Sequence, residues 1–155
     1  MTGTETNAAP SSATRVVLPA VTPDVYGAMV ALDQAAAAGL DPVIGQLVRI
    51  RASQINGCAF CTDLHVKQAR AAGENEQRLD LLPAWRAAPG FSDRERAALA
   101  LTESITDLGR EGVPSEVYEQ AARAFDETEL AHLLWTIAAI NVWSRLGVAT
   151  RMTPA

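Results

Sequence analysis

Helix punctuation constrains this chain more than any other feature. Thr22-Pro23 offers a hydroxyl for an N-cap and a proline at the first helical position, and the segment they open runs to Ala38 before Gly39 stops it. Asp41-Pro42 repeats the start signal, and Val43, Ile44, Leu47, Val48 and Ile50 carry an apolar segment to Asn56-Gly57. A third helix is predicted from Cys58 to Ala72, with Gly73 as its terminator. Glu74 to Leu82 reads as a short helix halted by Pro83, and Pro83 to Ala88 as one more turn before Pro89-Gly90. Ser92-Asp93-Arg94-Glu95 fits a capping box and opens a helix to Leu108. Ser115 to Phe125 and Thr128 to about Leu146 complete the set. No stretch alternates strictly as a half-buried strand does, and no fixed repeat recurs. The expectation is an all-α helical bundle.

Composition agrees. Apolar residues make up 48% of the chain but aromatics only 5%, an alanine-rich mixture that favours close-packed helices over sheets. Residues 1–22, rich in Thr, Ser, Ala and Pro, give little to bury and read as a mobile leader without a secretory signal. Residues 23–150 read as a single domain and 151–155 as a tail. The formal charge of −5 argues against a nucleic-acid partner, which calls for a basic face. Charges such as Arg49 and Arg51 interrupt the candidate membrane spans, so no membrane partner is expected, and without a secretory signal the compartment is read as cytoplasmic.

In that compartment two cysteines three positions apart point to catalysis or metal binding rather than to a permanent staple. Cys58, Cys61 and His65 are separated by three and then four positions, which brings their side chains into one sector of a helix. A thiol in the first turn faces unpaired amides and the positive end of the helix dipole, which stabilise a thiolate. An imidazole one turn beyond Cys61 can move a proton, and two sulfurs within bonding reach let a sulfenic acid be captured as a disulfide. Zinc is the rival, with Cys58, Cys61 and His65 as ligands and His132 as a fourth. A c-type haem link is excluded because Thr62, not histidine, follows the second cysteine. Spacing alone does not say which sulfur attacks first.

The run Arg51-Ala52-Ser53-Gln54-Ile55-Asn56-Gly57-Cys58-Ala59-Phe60-Cys61, with Asp63-Leu64-His65, resembles the AhpD-like branch of the carboxymuconolactone decarboxylase superfamily. The likeness extends through Gly73-Glu74, Ala84-Trp85-Arg86, the stretch from Phe91 to Glu103, and Asn141-Val142-Trp143-Ser144-Arg145-Leu146. It implies an AhpD-like helical fold, self-association as a homo-oligomer (trimer or hexamer), and thiol-dependent reduction of hydrogen peroxide or organic hydroperoxides. By position, Cys61 resembles the peroxidatic thiol, Cys58 its resolving partner and His65 part of a proton relay, recycled by an external dithiol protein reductant with no metal or organic cofactor. Where the family often has a glutamate, twelve residues before the first cysteine, this chain has Gln46. Glutamine cannot take up a proton near neutral pH, which makes Glu103 the candidate replacement. The alternatives are a carboxymuconolactone decarboxylase-like lyase without sulfur chemistry and a non-catalytic redox-sensing oligomeric module. Trp143, His132 and Trp135 are assigned to packing or an interface.

Overall fold

The computed structural model describes residues 15–155. Its helices are α1 (Leu18–Val21), α2 (Pro23–Ala38), α3 (Pro42–Asn56), α4 (Ala59–Ala71), α5 (Glu76–Leu81), α6 (Asp93–Thr106), α7 (Ser115–Ala124) and α8 (Glu127–Thr150). A 3₁₀ turn at Leu82–Ala84 follows α5. Among the described residues no strand forms, and a lone bridge pairs Gly109 with Gly112. The fold is the all-α, AhpD-like bundle expected.

The start signals act as their chemistry dictates. The Asp41 carboxylate accepts from the amides of Val43 and Ile44 at 2.9 and 3.1 Å, and Gly57 closes α3 at φ 67°, where a side chain would be strained. Ser92 and Glu95 form the expected capping box. Two signals differ. Thr22 does not cap α2, because its hydroxyl donates back to the carbonyl of Leu18. The last helix begins earlier and runs longer than expected because Asp126 and Glu129 form a second capping box at its start.

α3 is the hub, packed against α4, α6 and α8. One face joins Ile44 and Val48 to Leu101, Leu133 and Ile137; another joins Leu47 and Ile50 to Leu82, Trp85 and Leu99. A third, smaller cluster sets Cys58 and Cys61 against Ala52 and Ile140, so the sulfurs rest on the hydrophobic core. α8 is long and apolar enough by composition to cross a bilayer. Leu133, Ile137, Ala139 and Ile140 on it are nonetheless buried in the bundle, as in a core helix.

Residues 1–14 of the expected leader lie outside the described residues. Residues 15–22 differ from that expectation: Leu18–Val21 form a helical turn packed on α2, and the Arg15 guanidinium donates to the carbonyl of Ala149 near the end of α8. At the other end, Arg151 caps α8 and the Met152 amide donates to Gly147 at 2.9 Å, so the expected tail begins inside the fold.

Candidate active site

Gly57 turns the chain sharply out of α3, and Cys58 follows as the N-cap of α4 in an extended conformation. Cys58 therefore stands just outside the helix rather than within its first turn. Its sulfur accepts from the Cys61 amide at 3.2 Å, using one of the unpaired donors of the helix start. The two cysteines form a disulfide with their Cα atoms 5.4 Å apart, an ordinary span for a bridge. Gly147 of α8 crosses directly over them. A Cβ there would lie 2.9 Å from the Cys58 sulfur and 3.5 Å from that of Cys61, so glycine is what lets α8 pass.

Both sulfurs are buried, yet they differ in what they face. Cys61 borders a cavity of about 870 Å³ together with His65, Gln46 and Gln68, whereas Cys58 does not reach it. The cavity walls are mainly apolar, with Phe60, Leu64, Trp143 and Leu146 on one side and the stretch from Val16 to Pro19 on another. Trp143 is thus a wall residue as well as a packing one, set edge-on to Tyr26 with ring centroids 5.2 Å apart.

His65 is buried, and its Nδ1 stands 3.1 Å from the side-chain oxygens of both Gln46 and Gln68. The Gln46 amide nitrogen in turn donates to the Gln68 oxygen at 3.2 Å. Two acceptors at Nδ1 fix the proton there and leave Nε2 with its lone pair. Burial, helped by the nearby Arg49 guanidinium, lowers the imidazole pKa to about 4, against smaller opposing effects of Gln68 and Asp33. His65 is therefore neutral at pH 7. Arg49 itself is held by Asp33 at 3.0 Å and by the Gly45 carbonyl, and both members of this ion pair border the cavity.

Gln46 thus meets His65, as its position suggested, but Glu103 does not replace the missing carboxylate. Glu103 does not line the cavity. One of its oxygens accepts from Arg51 Nε and Trp85 Nε1 at 2.8 Å each, and the other pairs with Arg86. Burial pushes its pKa up, and the donors Trp85, Arg86 and Arg51 more than reverse this, holding it below the usual carboxylate range. A carboxylate so engaged is a structural anchor, a correction to the role expected of it. His132 also stands apart from the sulfurs. Its Nδ1 lies 2.9 Å from the Ala36 carbonyl, in a separate groove with the exposed Trp135. Asn141 and Arg145 join with Asn56 and Thr106 in a network that ties the ends of α3 and α6 to α8.

The sequence did not mark Gln68, Arg49, Asp33 or Gly147 as site residues. Gln68 was legible in principle, because it sits three residues beyond His65 on one helix. Gly147 carried a weaker signal, as a lone glycine in a long apolar helix. Nothing local marks Asp33 or the stretch from Val16 to Pro19.

The profile of the carboxymuconolactone decarboxylase family matches residues 23–104. The uncharacterized protein YdfG of Bacillus subtilis (strain 168) is 43% identical over 104 residues, 67% of this chain and 71% of that protein. The uncharacterized protein YnjA of Escherichia coli (strain K12) is 33% identical over 111 residues, 71% of this chain and 60% of its own length. Among solved structures, ATU0492 of Agrobacterium tumefaciens superposes with a TM-score of 0.87 at 34% identity, covering 92% of this chain and 98% of that one. ATU0492 is described as a protein of unknown function and a candidate antioxidant defence protein AhpD. The debrominase Bmp8, in its apo form, superposes with a TM-score of 0.76 at 18% identity over 86% of this chain and 72% of its own, a likeness of fold alone. This chain belongs to the carboxymuconolactone decarboxylase family and, with its CxxC pair and its likeness to ATU0492, to the AhpD-like branch of it.

Proposed function

We propose that this protein is a thiol-dependent peroxidase that reduces hydrogen peroxide or organic hydroperoxides through Cys61. The observation that carries the reading is the asymmetry of the sulfur pair: Cys61 borders the large cavity, and Cys58 is bonded to it from behind. In the reduced protein, the Cys61 thiolate attacks the distal oxygen of the hydroperoxide. The S–O bond forms as the O–O bond breaks, giving a sulfenic acid, and the departing alkoxide takes a proton to leave as an alcohol. The Cys58 thiol then attacks the sulfenic sulfur, forming the disulfide and releasing water. An external dithiol protein reduces that disulfide by exchange and is itself oxidised.

His65 serves as a proton carrier rather than a proton store. Moving a proton from an ordinary thiol to an imidazole of pKa about 4 is uphill by roughly 6 kcal/mol. The thiolate must therefore owe its stability to the helix start, and a proton held briefly on Nε2 passes readily to a basic alkoxide. Self-association into trimers or hexamers belongs to the same reading.

Peroxide consumption, followed with a dithiol reductant in excess, tests it. Cys61→Ser is expected to abolish consumption, and Cys58→Ser to leave a sulfenic acid that dimedone traps after one equivalent of peroxide. Equal turnover by the parent protein and both variants would sink the proposal.

A further inference from the structure

The cavity is much larger than hydrogen peroxide needs, and its charge does not match the protein's. About 870 Å³ falls in the range of sites that enclose drug-sized organic ligands, whereas a peroxide molecule needs little more room than a water. Among the described residues, the charged side chains on its walls are Arg15, Asp33, Arg49 and Arg151, and His65 is neutral at pH 7. Asp33 and Arg49 neutralise one another at 3.0 Å. Two guanidinium groups, Arg15 and Arg151, are left on a chain whose formal charge is −5. Both are exposed, so they sit where the cavity meets solvent, while Cys61, Phe60 and Leu146 lie further in. The N-terminal stretch supplies Arg15 and three apolar neighbours, Val16, Val17 and Leu18, to the same wall, and the Arg15 guanidinium is anchored on the Ala149 carbonyl.

A positive rim over an apolar interior with one reactive sulfur suits a ligand with an anionic head, an apolar chain and a group that the sulfur can reduce. Resting on the peroxidase reading of Cys61, we infer that the cavity takes an anionic amphiphile, a long-chain fatty-acid hydroperoxide. Its carboxylate lies at Arg15 and Arg151 and its chain runs along Val17, Phe60, Leu64 and Trp143 toward Cys61. The carboxylate gains a charge-assisted contact at the rim, and the chain leaves water for the apolar wall. A neutral hydroperoxide of the same length gains only the second.

Two measurements test this on the full-length protein. Calorimetric titration compares decanoate with 1-decanol below their aggregation limits, and steady-state turnover compares linoleic acid hydroperoxide with its methyl ester. Decanoate is expected to bind more tightly than the alcohol, and the acid to exceed the ester in kcat/KM by roughly tenfold, the worth of one good ionic contact. The double variant Arg15→Ala, Arg151→Ala is expected to bring the acid-to-ester ratio close to one. Circular dichroism checks that it folds, which two exposed side chains should allow. Turnover of hydrogen peroxide and of both lipid substrates with no preference for the acid, and no binding of decanoate, would overturn this inference and leave the peroxidase reading standing. Binding of decanoate that depends on the two arginines, with no peroxide consumed by any route, would support the ligand class and overturn the peroxidase reading. A preference for the acid that survives in the double variant would also overturn the inference, because the rim would not be its source.

Discussion

His65 and Glu103 are both largely hidden polar groups on helices packed against α3, and their surroundings are opposite. His65 meets two neutral amide oxygens, and its neighbour Arg49 already has Asp33 as a partner. Glu103 meets two guanidinium groups and an indole N–H. The first environment keeps an imidazole neutral with a lone pair to spare, and the second fixes a carboxylate's charge and uses up its oxygens. Burial acts against the charged form of each, but only Glu103 has partners that outweigh it. Reactive potential goes with the group left uncompensated. That difference, rather than the presence of an ionisable side chain, separates the site from the scaffold.

Acid should expose the contrast most strongly. The folded-state pKa of His65 lies near 4, below its usual 6.5, so the unfolded chain takes up a proton first as the pH falls. Stability is therefore whole at neutral pH and is lost between about pH 6.5 and 4, by up to about 3 kcal/mol from this one group. Urea unfolding at a series of pH values, compared with His65→Gln, measures it: the difference between parent and variant should shift by that amount in favour of the variant as the pH drops. Glu103, whose folded pKa is also lowered, keeps its contribution above about 4.5 and loses it only below. Parallel curves for parent and His65→Gln across pH 6.5 to 4 would show that the imidazole is not held neutral by burial.

Glu103→Ala comes next in size. It leaves the Trp85 indole without its acceptor and the partly buried Arg51 holding to Gln54 at 3.3 Å, while Arg86, mostly exposed, returns to water at little cost. A loss of about 2 kcal/mol in unfolding free energy is expected, with peroxide turnover per folded molecule unchanged. Loss of turnover in a variant that remains folded would restore Glu103 to the proton relay and erase the distinction drawn between the two regions.

The fold was largely legible because its signals are local. Asp41, Gly57 and the Ser92–Glu95 box act within one turn, and they bounded α3 and α6 closely. The CxxC pair and the contact between Gln46 and His65 were legible for a related reason: the cysteines are three residues apart, and the position of Gln46 was marked by resemblance. What the sequence concealed depends on long-range packing. Arg15 meets Ala149 across 134 residues, and Gly147 meets Cys58 only because α8 crosses the start of α4. Glu103 misled for the same reason, since its distance along the chain from both Arg51 and Trp85 hid the donors that occupy it.

The smallest expected effect is the most direct test of the amide cage. In Gln46→Glu a carboxylate would stand where an amide oxygen now lies 3.1 Å from His65 Nδ1. A partly exposed carboxylate at that distance favours the imidazolium and should raise the His65 pKa by about one unit, from about 4 to about 5. Because the ring would still be neutral at pH 7, turnover near neutrality should change little, while the acid-linked loss of stability should shrink by about 1.4 kcal/mol. Titration of the His65 ring protons by NMR in parent and variant reads the shift directly. A pKa unmoved by the new carboxylate would mean that burial alone sets the state of His65. Gln46 would then position the ring without tuning it, and the presence of glutamine rather than glutamate there would have no bearing on the proton chemistry of the site.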